Sequence, residues 1–139
     1  MSDTNLKPPV TAELTWSDNL RFDVLSDRIA FIIDGNSTAG PSSVQLLAVS
    51  LAGCLSMDVV DILHRGKHPL AAFHVSIAGH RAPDPPRRLT KVHLRFVLRG
   101  AVPRSAVERA IGLSRDKYCS VWHSMRQDIE LTTSFDIHP

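Results

Sequence analysis

The period and order of the apolar residues predict an α+β fold: mainly antiparallel sheets around one long, buried central helix. Three observations carry this. Apolar and polar residues alternate with period two at both ends of the chain and again in its middle. A single segment, Ser42 to Arg65, is apolar on nearly every side, which is the pattern of a helix buried all round. The elements run β-β-β-α-β-β-α-α-β, with strands following strands, so hairpin pairing is favoured over a doubly wound parallel sheet.

Size and composition bound the rest. With 139 residues the chain has room for one core, read as a single domain over residues 1–139 with residues 1–8 flexible. Hydrophobic residues at 43% and charged residues at 22% exclude disordered and disulfide-scaffold classes. The formal net charge is +2 and the basic residues are scattered, which argues against a nucleic-acid partner. No basic stretch followed by an apolar run opens the sequence, so the expected compartment is the cytoplasm, with no membrane partner. Gln45, Ser50, Ser56, Asp58 and Asp61 interrupt the central helix and count against a bilayer span.

Each element has a local reason. Val10, Ala12, Leu14 and Trp16 share one strand face, and Ser17-Asp18-Asn19 supplies turn chemistry. Leu20, Phe22 and Val24 then alternate as a hairpin partner, and Ile29 to Ile33 completes a meander that stops at Asp34-Gly35. Ser42 with Gln45 fits a capping box, and Gly66 after His64 and Arg65 fits a helix end, giving a helix of about 36 Å at 1.5 Å per residue. Strand periodicity returns at Phe73 to His80 and at Lys91 to Arg99, where Val92, Leu94, Phe96 and Leu98 face one way. Between them the prolines of Ala82-Pro83-Asp84-Pro85-Pro86 preclude regular structure. Pro103 opens a helix carrying Val107, Ala110 and Ile111, and Ser114 starts a short helix carrying Tyr118, Val121, Trp122 and Met125. The last strand turns Ile129, Leu131, Thr133, Phe135 and Ile137 inward.

A helix of that length is awkward for one small domain to cover, the plain alternative being that the sheet and the C-terminal helices of one chain cover it. The expected solution is a homodimer in which two such helices cross, with Gly53 allowing close approach and the sheets wrapping both.

Chemistry concentrates on two cysteines. Ser50, Cys54, Asp58 and Asp61 form the polar stripe of the central helix, so Cys54 stands where hydrogen-bonding side chains gather. A reactive cysteine must be a thiolate, and Asp58 would oppose that unless an arginine offsets its charge; Arg21 and Arg28 are the candidates. Cys119, placed shortly after the Ser114 cap with His123 one turn on, is expected to ionise at a helix N-terminus. Two such cysteines can reduce a peroxide, one sulfur becoming a sulfenic acid and the other condensing with it. The plain alternative is a pair of small buried hydrophobes. The His64/His68 and Cys119/His123 spacings lack the ligand number of a structural zinc site, and no metal or cofactor is expected. Arg81, Arg87, Arg88 and Lys91 read as a solvated basic rim.

Three motifs resemble the OsmC/Ohr family, named for osmotic induction and organic hydroperoxide resistance. They are GPSSVQLLAVSLAGC ending at Cys54 with MDVVDIL from Met57, RRLTKVHL from Arg87, and LSRDKYCSV around Cys119. The likeness is to the OsmC-like branch and runs from about Val10 to Ile137. It implies an intertwined homodimer and thiol-dependent reduction of organic hydroperoxides or hydrogen peroxide, with a dithiol such as a lipoyl group as reductant. Cys54 then matches the peroxide-attacking cysteine, Cys119 the resolving one, and Arg21 the family's arginine. The sequence departs at Val44 and Gln45, where related branches carry a glutamate. A non-catalytic dimer of the same fold that binds a small apolar ligand is the alternative.

Overall fold

The computed structural model describes residues 6–139. The expected flexible stretch 1–8 therefore lies largely outside the described residues; residues 6–8 are exposed and carry no regular structure. By their contacts the residues divide into two compact units, Met1–Leu46 and Leu47–Pro139.

The first unit is the expected antiparallel meander: β1 (Glu13–Asp18), β2 (Arg21–Ser26) and β3 (Ile29–Asp34), in that order across the sheet. β1 opens three residues later than the alternation suggested, at Glu13 rather than Val10. The register sets Leu14 opposite Val24 and Trp16 opposite Phe22, and continues from Val24 to Phe31 and from Phe22 to Ile33. One face is thus a ladder of large apolar side chains, yet Trp16 is 63% and Leu14 51% exposed. Asn19 takes the left-handed conformation in the first hairpin, which an asparagine tolerates.

The loop after β3 is organised by one buried carboxylate. Asp34 accepts hydrogen bonds from the backbone N–H of Asn36, Thr38 and Ala39, from the Thr38 hydroxyl, and from Arg21 Nε at 3.2 Å. Those donors, the backbone N–H of Ala39 foremost, hold its carboxyl well below the usual range despite burial. Gly40 follows because a Cβ there would collide with the Ile32 carbonyl oxygen. The capping box then forms reciprocally: Gln45 N–H donates to Ser42 Oγ at 3.2 Å, and Ser42 N–H to Gln45 Oε1 at 2.9 Å.

That box starts α1 (Ser43–Arg65), which ends in a Schellman arrangement. His68 N–H donates to Leu63 O and Lys67 N–H to His64 O. The left-handed residue of the cap is Lys67, with φ of 59°, and not Gly66 as the sequence suggested.

In the second unit α1 is followed by β4 (Ala72–Arg81), β5 (Leu89–Arg99), α2 (Arg104–Leu113), a π-helical turn (Ser114–Tyr118), α3 (Ser120–His123) and β6 (Glu130–His138). β4 and β5 pair antiparallel, whereas β5 and β6 pair parallel. The parallel pair departs from hairpin neighbours because the chain between them crosses over through α2, the π turn and α3, as a parallel connection requires. The core is built from the stripe Leu51, Leu55, Val59 and Leu63 of α1, from Val92, Leu94, Phe96 and Leu98 of β5, and from Val107 and Ala110 of α2. By length and composition α1 is also apolar enough to cross a membrane, a property shared by the core helices of soluble proteins.

Candidate active site

Cys54 and Asp58 stand one helical turn apart on the same face of α1, both half-buried. Asp58 Oδ2 accepts a hydrogen bond of 2.7 Å from the Ser114 hydroxyl, which is wholly buried in the π turn. The Ser114 carbonyl in turn accepts from the backbone N–H of Cys119 at 2.8 Å, closing that turn. Cys119 then leaves the helix with φ −69° and ψ 101° and caps α3, its Sγ accepting from Trp122 N–H at 3.4 Å.

This brings Cys54 and Cys119 near one another: the Cys54 thiol is close enough to the fully buried Cys119 thiol to raise its proton affinity. Burial pushes the Cys119 thiol up to about 11, and Cys54 and the Asp58 charge push the same way. The Trp122 N–H opposes them and loses. The expectation that Cys119 ionises at a helix N-terminus is therefore corrected. The cap is Cys119 itself, α3 has only four residues from Ser120 to His123, and desolvation outweighs one backbone donor. The groups acting on Cys119 include no cation.

The polar stripe divides. Cys54 and Asp58 face the thiol pair, while Ser50 Oγ donates to the Leu47 carbonyl of its own helix and Asp61 pairs with Arg65 at 3.0 Å on the surface. Ser114, expected to cap a short helix, instead opens the π turn and holds Asp58; a serine five positions before a cysteine is not a distinctive signal of that. Asp58 also borders an open cleft of about 590 Å³ together with Asp61, Arg65, Arg109 and Tyr118, so the site adjoins solvent.

The two arginine candidates both belong to the first unit. Arg21 is half-exposed, its guanidinium held by Asp34 and by Thr38 Oγ1. Arg28 lies exposed in the turn between β2 and β3. The basic residues around the proline loop bind mostly to their own loop: Arg81 Nε donates to Arg87 O, Arg87 Nε to Pro83 O, and Arg88 to Leu89 O. Among the described residues no three His, Cys, Asp or Glu side chains converge as metal ligands.

Comparison with known proteins agrees with this architecture. The family model for OsmC-like proteins matches residues 34–134. Protein YhfA of Escherichia coli K12 is 30% identical over 131 residues, covering 91% of this chain and 96% of YhfA. A crystal structure of a protein from Aquifex aeolicus VF5 superposes with a TM-score of 0.87 at 24% identity, covering 94% of this chain and 97% of that one. A crystal structure of an organic hydroperoxide resistance protein from Legionella pneumophila gives 0.72 at 13% identity, covering 95% and 99%. An α+β fold with two sheets and a long helix is the architecture shared with these structures. The chain belongs to the OsmC-like protein family.

Proposed function

We propose that this protein is a thiol-dependent peroxide reductase, with Cys54 as the attacking cysteine and Cys119 as the resolving one. The observation that carries the reading is the meeting of the two thiols, one half-buried on α1 and one sealed behind it. The family and the Legionella protein's peroxide-resistance name support it.

The Cys54 thiolate attacks the terminal oxygen of the hydroperoxide, the O–O bond breaks, and the departing alkoxide takes a proton to leave as the alcohol. Cys54 is now a sulfenic acid. The Cys119 sulfur attacks it, the S–O bond breaks, and the hydroxide leaves with the Cys119 proton as water. A dithiol, of which a lipoyl group is an example, returns both sulfurs to thiols. A resolving cysteine that stays protonated at rest suits this order, because it does not compete for the peroxide. Arg21 is the residue assigned to activate Cys54, carried from the family resemblance.

The working unit we propose is a homodimer of a single OsmC-like domain. Three features support it: the exposed apolar ladder of the meander, Met57 at 73% exposure on α1, and Ser56. The Ser56 Oγ is buried without a hydrogen-bond partner on the wall of a groove of about 480 Å³ that Gly53, Met57 and Val60 also line. A second copy of α1 would cover that groove and offer Ser56 a partner.

The test is to mix reduced protein with cumene hydroperoxide and count free thiols. Wild type should lose two thiols per peroxide, Cys119→Ser should stop at a Cys54 sulfenic acid, and Cys54→Ser should lose none. Thiol loss that persists in Cys54→Ser ends the proposal. No loss at all, with stabilisation by fatty-acyl ligands retained in the double serine variant, would point instead to the apolar ligand-binding reading.

A further inference from the structure

We propose that Asp58 is the positioning residue that presents Cys119 to Cys54, gripping Ser114 and, through the Ser114 carbonyl, the backbone of the resolving cysteine. The proposal rests on the peroxide-reductase reading and adds to it the device that sets the geometry of the disulfide step.

A disulfide forms only when the two Cα atoms stand about 4.4 to 6.8 Å apart with their Cβ vectors converging. Cys119 belongs to a different element from Cys54, so something must fix one against the other. Two hydrogen bonds in series do so: Ser114 Oγ to Asp58 Oδ2 at 2.7 Å, and Cys119 N–H to Ser114 O at 2.8 Å. That chain starts from α1, the helix that also carries Cys54, since Asp58 is one turn beyond Cys54 on it. The segment between is a π turn, a rare conformation that recurs at functional sites and that widens the helix enough to release Cys119 into an extended conformation. A plain structural hydrogen bond would serve equally well on any neutral acceptor. A carboxylate does one thing more, because its charge adds to the burial that holds the proton on the Cys119 sulfur.

The experiment uses the full chain as wild type, Asp58→Asn, Asp58→Glu, Ser114→Ala and Ser114→Thr. One equivalent of cumene hydroperoxide is added, and Cys54 sulfenic acid (trapped with dimedone) and the Cys54–Cys119 disulfide are followed by mass. Asp58→Asn and Ser114→Ala should still trap as Cys54 sulfenic acid but form the disulfide more slowly, by roughly tenfold to a hundredfold. Ser114→Thr, which keeps the hydroxyl, should recover most of the rate. The second readout is the pH dependence of Cys119 alkylation in the Cys54→Ser background. Asp58→Asn should move its midpoint down and Asp58→Glu should leave it near the parent, a shift that a merely structural bond would not produce. A disulfide rate equal to wild type in Asp58→Asn and Ser114→Ala, or an unmoved alkylation midpoint, overturns the inference while leaving the peroxide reductase intact. A wild type that forms neither a Cys54 sulfenic acid nor the Cys54–Cys119 disulfide overturns both.

Discussion

The meander β1–β3 and the sheet β4–β5–β6 are written in the same alternating code and end up in opposite conditions. In the second sheet Val92, Leu94, Phe96 and Leu98 are all fully buried; in the first, Trp16 and Leu14, on an equally apolar face, are more than half exposed. Alternation states that a strand has one face to bury, and says nothing of what will bury it. The β5 face finds its cover within residues 47–139, whereas on the meander face Val24 is buried but Leu14, Trp16 and Phe31 stay exposed, and this exposure is one ground for proposing a second copy.

Five measurements can break or sharpen that contrast. The largest expected effect is Phe96→Ala, which empties a closed site and should cost about 3–5 kcal/mol in urea denaturation at any protein concentration. Trp16→Ala should cost little in dilute protein and progressively more as concentration rises, because the proposed second copy would cover it. An equal cost at every concentration would remove the support the meander lends to self-association.

Next comes acid. The Asp34 carboxyl is held low by its donors, so its contribution to stability is present above the ordinary carboxylate range near 4 and is lost as pH falls below it. Asp34→Asn should abolish that acid-dependent component and open the loop after β3 to limited proteolysis at neutral pH. Base tests the other unit. Cys119 keeps its proton up to about 11 in the folded chain, against 9.0 for an ordinary thiol, so the unfolded chain releases its proton first. Stability should therefore be full below pH 9.0 and fall as pH rises towards 11, a fall that Cys119→Ala lacks in parallel thermal melts.

The smallest effect concerns the end of α1. Lys67→Gly relieves a non-glycine left-handed residue and should stabilise by about 1 kcal/mol in the same melts. Destabilisation would mean that Lys67 makes an interaction worth more than its backbone strain.

Legibility followed the range of the interaction. The capping box was readable because Ser42 and Gln45 are three residues apart and satisfy one another locally. The buried face of β5 was readable because period two survives any packing partner. The helix end was misread by one residue, since the Schellman bonds choose which position turns left-handed and the nearest glycine does not. The parallel pairing of β5 with β6 was not readable, as it depends on where a crossover sets the strand down. Both cysteines could be named from their motifs, but the state of Cys119 was inverted. The sequence suggests a helix continuous from Ser114, and the π turn that breaks it is held by Asp58, a residue of another element.

What the linear chain determined by itself is everything carried by period, caps and motif: an α+β fold, its central helix, the two cysteines and the OsmC-like family. What only the tertiary structure decided is the environment of those cysteines. The proton affinity of a thiol is set by the charges, donors and solvent within a few ångströms, and around Cys119 these come from α1 and α3 at once.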